Sequence, residues 1–221
     1  MNDVIGSILP LALTVAISPV PIIATILVLL SPRATATGLA FLLGWTVGMS
    51  ALVAVFTLLA LLAAPGVGGS PVVGVTKIVL GILLLVVGLL QWRNRPRKGD
   101  APVVPRWMSA LDSITVPRAA LLAFLLAAVN PKHVIVALGA GVDIGASGLG
   151  PRHVMLAMGI FVLVTISTVA MPVLVHLIVG DRVRSAFESL RGWLTINGAT
   201  VMGILLVVIG VANVGQGVAA V

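Results

Sequence analysis

Two short runs hold the residues best able to do chemistry: Ser18-Pro19-Val20-Pro21 and Asn130-Pro131-Lys132-His133, each inside a long apolar segment. A proline removes a backbone donor and displaces the preceding turn, so each run predicts a helix broken at mid-membrane, with polar backbone groups that need partners. Lys132 carries the strongest signal. An ammonium near the bilayer centre costs roughly 2.5–3.5 kcal/mol on insertion scales, so its presence calls for a partner, a wet cavity or an anionic ligand. Ser18, Pro19, Pro21, Asn130, Pro131, Lys132 and His133 are therefore the candidate substrate-binding residues. The competing structural role for Lys132 is to cap carbonyls released by Pro19 and Pro21. His133 and His176 are candidates for ion coupling, because histidine titrates near neutral pH; Asp112, at the membrane interface before Pro117, is the third.

The composition dictates what must position these groups. Of 221 residues, 60% are hydrophobic and 9% charged, and the mean hydropathy is +1.25. A soluble domain of this composition would have no polar shell. Apolar runs at about 3–30, 34–64, 71–92, 118–140, 153–180 and 193–219 predict six membrane helices. The stretch Met1-Asn2-Asp3 carries an acid and no Lys or Arg, unlike a secretory signal, so the first helix reads as retained. The organisation expected is one membrane domain: residues 1–92 as a first three-helix half, 93–117 as a basic linker, and 118–221 as the second half.

With the N-terminus outside, the inner loops hold Arg33, then Arg93, Arg95, Arg97, Lys98, Arg106 and Arg118, then Arg182, Arg184 and Arg191; only Arg152 lies outside. That bias orients both termini outward across an inner, plasma membrane. It also accounts for the net charge of +7 without nucleic acid, as a topology signal that contacts anionic lipid. Trp107, Met108, Leu111 and Ile114, and Val183, Phe187 and Leu190, recur at helical spacing and predict two amphipathic helices on the inner surface. Lys77 reads as snorkelling to the outer surface, Asp143 as part of a Gly-rich outer loop, and Pro172 as a third kink served by Thr165, Ser167 and Thr168.

The halves repeat. Gly81–Gly88 matches Gly203–Gly210, Ser31-Pro32-Arg33 matches Gly150-Pro151-Arg152, and Ser18-Pro19 matches Asn130-Pro131, all in the same order. Three spans per half make the repeat inverted, the arrangement of many secondary transporters, whose sites lie between broken helices. The fold class expected is thus an all-α membrane protein of six transmembrane helices in two inverted three-helix repeats, the first and fourth broken. No Ser-His-Asp set, HExxH, phosphate loop or paired intramembrane carboxylates is present, so no enzyme is expected. With no cysteine, thiolate metal sites are excluded; no cofactor is expected.

Asn130-Pro131-Lys132, with the proline-rich motif of the first span, resembles the LysE-type exporter superfamily. Ser18-Pro19-Val20-Pro21-Ile22, Ser31-Pro32-Arg33-Ala34 and Ala40-Phe41-Leu42-Leu43-Gly44-Trp45 look most like its actinobacterial glycolipid-addressing (Sap or GAP) family, over nearly the whole chain. Val20 stands where amino-acid exporters usually carry glycine. The resemblance implies movement of a lipid or glycolipid toward the cell surface by alternating access. Its alternatives are an ion-driven exporter of small solutes and a non-transporting scaffold for lipid synthesis. The partners that follow are membrane lipids, the lipid substrate, and a second copy of the chain or lipid-synthesis enzymes.

Overall fold

The computed structural model describes residues 1–63, 71–93, 95 and 114–219. Among these residues the chain is all helix: α1 (Asn2–Ala16), α2 (Pro19–Leu29), α3 (Ala34–Ala63), α4 (Pro71–Arg93), α5 (Val116–Ala128), α6 (Pro131–Gly145), α7 (Pro151–Val179) and α8 (Arg184–Val218), with a 3-10 turn at Gly180–Val183 before α8. The chain is a multi-pass membrane protein. Ala34–Leu62, Val73–Arg93 and Pro151–Val218 are long and apolar enough to cross a membrane, and counting each bent pair, α1 with α2 and α5 with α6, as one span makes five. Leu43, Leu62, Leu163 and Ile178 point outward as exposed apolar side chains, as a lipid-facing surface requires.

Proline placement sets the helix boundaries. A residue before proline is pushed out of the α region, and a proline in the first helical turn loses nothing by lacking its N–H. Ser18 (φ −64°, ψ 120°) and Asn130 (φ −67°, ψ 118°) accordingly adopt almost the same extended geometry. The pairs α1–α2 and α5–α6 bend there by 49° and 63°. Pro172 behaves differently: it is buried inside the uninterrupted α7. Thr165 and Ser167 bond to carbonyls of their own helix, while the Thr168 hydroxyl crosses to the Ala16 carbonyl at the α1 break.

Packing pairs elements across the halves. Helix α3 lies along α5 and α6, α7 lies along α1, and α4 lies against α8. The register is set by glycines with no room for a side chain. An added Cβ on Gly44 would strike the Ala120 carbonyl, and one on Gly141 would sit 2.6 Å from Phe56 Cβ, so α3 runs parallel to the α5–α6 pair. Gly81 faces the Gly210 carbonyl and Gly203 the Gly88 carbonyl, so α4 and α8 are antiparallel.

Three expectations need correction. The Gly-rich segment is not a loop through Asp143: α6 continues to Gly145, because Gly141 and Gly145 are needed for close contact with α3 and an α-helix keeps their backbone groups bonded. Lys77 does not snorkel free, since its ammonium pairs with Asp143 at 2.8 Å. The segment around Val183, Phe187 and Leu190 is not a separate surface helix. Helix α8 starts at Arg184, and Phe187 is buried with Ile26, Leu29 and Val173. The other amphipathic segment, at Trp107, Met108 and Leu111, lies outside the described residues, as do Arg97, Lys98 and Arg106.

Candidate functional site in the bundle centre

The two breaks release carbonyls at equivalent places. At the first break the Ser18 N–H bonds the Val15 carbonyl, and the Thr14 carbonyl accepts instead from Lys132 Nζ at 3.3 Å. At the second, the Leu126 carbonyl, 112 residues after Thr14, is bonded by His133 Nδ1 at 3.0 Å. A carbonyl can only accept, so Nδ1 is the ring nitrogen that carries the proton. Adjacent residues of one motif thus serve the two breaks separately. Asn130 caps α6, its Oδ1 accepting from the Lys132 N–H at 3.1 Å, while Ser18 makes no side-chain cap at the start of α2. Asn130→Ala is therefore expected to cost about 1 kcal/mol, a fall of about 2–4 °C in Tm. Ser18→Ala should cost less than Asn130→Ala, since the Ser18 side chain makes no cap hydrogen bond to lose. Thermal unfolding in detergent, followed by tryptophan fluorescence, checks both.

Lys132 is 6% exposed. Beyond Thr14, its ammonium has among the described residues one further hydrogen-bond partner, Met202 Sδ at 3.4 Å. Thioether sulfur is a weak acceptor and an ammonium has three donors, so its hydrogen-bonding capacity is largely unspent. It faces a cavity of about 250 Å³ whose polar lining is Ser18, Gln91, Asn130, Lys132, Arg191 and Thr195. Pro19, Val20, Ile23, Leu194, Gly198, Ala199 and Met202 supply the rest of the wall. Gly198 is there by necessity, since an added Cβ would lie 2.7 Å from Pro19 Cβ. Among the described residues this lining holds two basic side chains, Lys132 and Arg191, and no carboxylate.

The structure thus brings Ser18, Pro19, Asn130 and Lys132 to one cavity. The other candidates stand elsewhere. Pro21 is buried within α2, its carbonyl accepting from Thr25, and Pro131 is exposed at the start of α6. His133 is fully buried and turned away from the cavity, edge-on to Trp45 with ring centroids 5.3 Å apart. Its Nε2 is buried without a hydrogen-bond partner among the described residues. Trp45 Nε1 in turn donates to the Thr165 carbonyl at 3.4 Å. His176 lines a different, open cavity with Ser31, Arg33, Asp181 and Arg184 at the end of the bundle opposite Met1. Asp112 lies outside the described residues.

Sequence reasoning missed Gln91, Arg191, Thr195 and Met202 as lining residues. The signal lay in the spacing of Arg191, Leu194, Thr195, Gly198 and Met202, one helix face. It is legible once α8 is known to begin at Arg184 rather than near 193.

In the comparison with known proteins, a family model described as "Sap, sulfolipid-1-addressing protein" (SfLAP) matches residues 8–219, nearly the entire chain. Neither the curated proteins nor the solved structures contain a match. The chain belongs to the sulfolipid-1-addressing (Sap) family.

Proposed function

We propose that the protein is a membrane transporter that moves an anionic lipid or glycolipid across or out of the inner membrane, binding its headgroup at Lys132. The observation that carries this reading is the lining of the central cavity: a buried ammonium with donors to spare, Arg191 beside the same space, and no carboxylate among the described lining residues. In an apolar interior such an excess of positive charge favours an anionic occupant. A volume of about 250 Å³ holds a headgroup, not acyl chains. The wall reaches the exposed Val20, leaving the chains a way to stay in the lipid phase. The family's description names sulfolipid addressing, and a sulfolipid headgroup is an anion of this kind.

Alternating access through six spans in two inverted halves is part of the reading. Its support is the reciprocal packing: Gly81 against Gly210 becomes Gly203 against Gly88 when each residue is exchanged for its repeat mate. The opposed directions of the two broken pairs, with α5–α6 parallel to α3, support it too. In this reading the protein is a carrier rather than an enzyme: its site binds and releases a headgroup without a chemical step. The positive charge of the basic loops supports an orientation with both termini outside.

Native mass spectrometry of gently purified protein, with lipid extraction from the same sample, tests the proposal. An anionic amphiphile enriched over its share of the membrane is the expected result. Retention of lipids only in bulk proportion, with stabilisation by amino acids or ions instead, would count against it and favour a small-solute exporter.

A further inference from the structure

A second charged group sits on the same helix face as Lys132. Asp143 follows it by 11 residues on α6, three turns that return to within about 20° of the same direction and rise about 16 Å. There Asp143 Oδ1 meets Lys77 Nζ of α4 at 2.8 Å, with side chains only 7% and 17% exposed. Lys77 also reaches Gln216 Oε1 of α8 at 3.4 Å. This cluster forms the floor of a vestibule of about 740 Å³ at the end of the bundle that carries Met1, Asp3 and Ser7.

Between the ion pair and the Lys132 cavity the face is apolar and closed. Val136 and Gly139 continue the stripe from Lys132 to Asp143, and Val136 is fully buried. Over Gly139 lie Leu11 of α1 and Leu80 of α4, whose Cδ1 atoms would be 3.3 and 3.4 Å from an added Cβ. Leu80 is one turn from Lys77 and 3% exposed. The order along the bundle is vestibule, ion pair, leucine constriction, Lys132 cavity.

We propose that the Lys77–Asp143 pair is the latch of a gate on the N-terminal side, and that its opening parts Leu11 and Leu80 from Gly139 to connect the vestibule with the Lys132 cavity. The inference rests on the alternating-access reading above. An ion pair suits a latch better than more apolar packing does. Its partners belong to different halves of the chain, and both can be rehydrated by a vestibule already open beside them, so the separated state is not penalised as two exposed leucines would be. Ionisable side chains at membrane depth are retained where they serve a pathway.

The absence of native cysteine allows a direct test. Leu80→Cys is introduced as a single reporter, the protein is reconstituted in liposomes, and a charged, membrane-impermeant thiol reagent is added on the Met1 side. With Lys77 and Asp143 intact the reporter should react slowly, while Ser7→Cys in the vestibule reacts readily. Adding Asp143→Asn should accelerate Leu80→Cys labelling by about tenfold or more, as expected when one partner of a buried pair is lost. The exchange Lys77→Asp with Asp143→Lys should restore protection. Unchanged Leu80→Cys labelling in Asp143→Asn protein that remains monodisperse would overturn the latch, as would loss of protection that the exchange fails to repair. The readout needs no substrate. Lipid retention unaffected by Lys132→Met, together with Leu80→Cys labelling that accelerates in Asp143→Asn protein, would refute the headgroup site and keep the latch; lipid lost in Lys132→Met with labelling unchanged in Asp143→Asn protein would refute the latch alone.

Discussion

Lys132→Met should reduce retention of an anionic lipid by about 10- to 100-fold, because a hydrogen bond to a charged group contributes about 1.5–3 kcal/mol and 1.4 kcal/mol is a factor of ten. Methionine keeps most of the side chain's length and packing while removing the charge. The stability of the empty protein should change little. The substitution leaves the buried Thr14 carbonyl without its donor, a loss of about 1–3 kcal/mol, but it also removes an ammonium from apolar surroundings, which acts in the opposite direction. The combination discriminates between the two roles open to Lys132. Normal thermal stability with lost lipid marks a headgroup ligand; a large fall in Tm with lipid retained as in the unmodified protein marks a carbonyl cap only. Lipid mass spectrometry and thermal unfolding on the same preparations supply both readings.

Gly44→Val should destabilise the fold by more than about 3 kcal/mol, beyond the usual cost of overpacking a core. A side chain at Gly44 meets the carbonyl oxygen, carbonyl carbon and Cα of Ala120. These are backbone atoms of α5 and no rotamer change moves them, so α3 and α5 must separate. The disturbance also reaches the centre of the molecule. Trp45, the next residue, is fully buried, bonds the Thr165 carbonyl and stands edge-on to His133. A drop in Tm of about 6 °C or more is expected, together with a shift in tryptophan emission. Gly159→Val on α7 is the control, since its added Cβ meets nothing within 4 Å and the position is exposed. Equal losses of stability in the two variants would show that the α3–α5 contact does not limit stability.

Much of the architecture was legible because it is local. The breaks at Ser18-Pro19 and Asn130-Pro131 follow from the steric effect of proline on the residue before it. Pro172 shows the limit of that rule: α7 carries it without a break, and Thr168 bonds across to Ala16 rather than serving its own helix. The glycines at 44, 48, 81 and 88 announce close helix contacts in the sequence, and all four are contact points here. Their partners were not announced, since a small residue states that something approaches and not what.

The site divides the same way. Lys132 stands out from the sequence alone, because an ammonium in an apolar run needs a reason, and Asn130 and Ser18 come with it through the repeat. That His133 would turn to the Leu126 carbonyl and leave the cavity, that Arg191 and Gln91 would line it, and that Lys77 would find Asp143 were decided by tertiary structure. Hydrophobic periodicity specifies which face of a helix is buried, whereas the neighbour on that face depends on contacts between residues far apart in the chain, 118 residues for Lys132 and Thr14. The sequence therefore determined the membrane class, the broken helices and the lysine. Only the packing of α1, α4, α6 and α8 decided that this lysine would face a cavity without an acid on its described lining, with an ion pair three turns away on the same helix face.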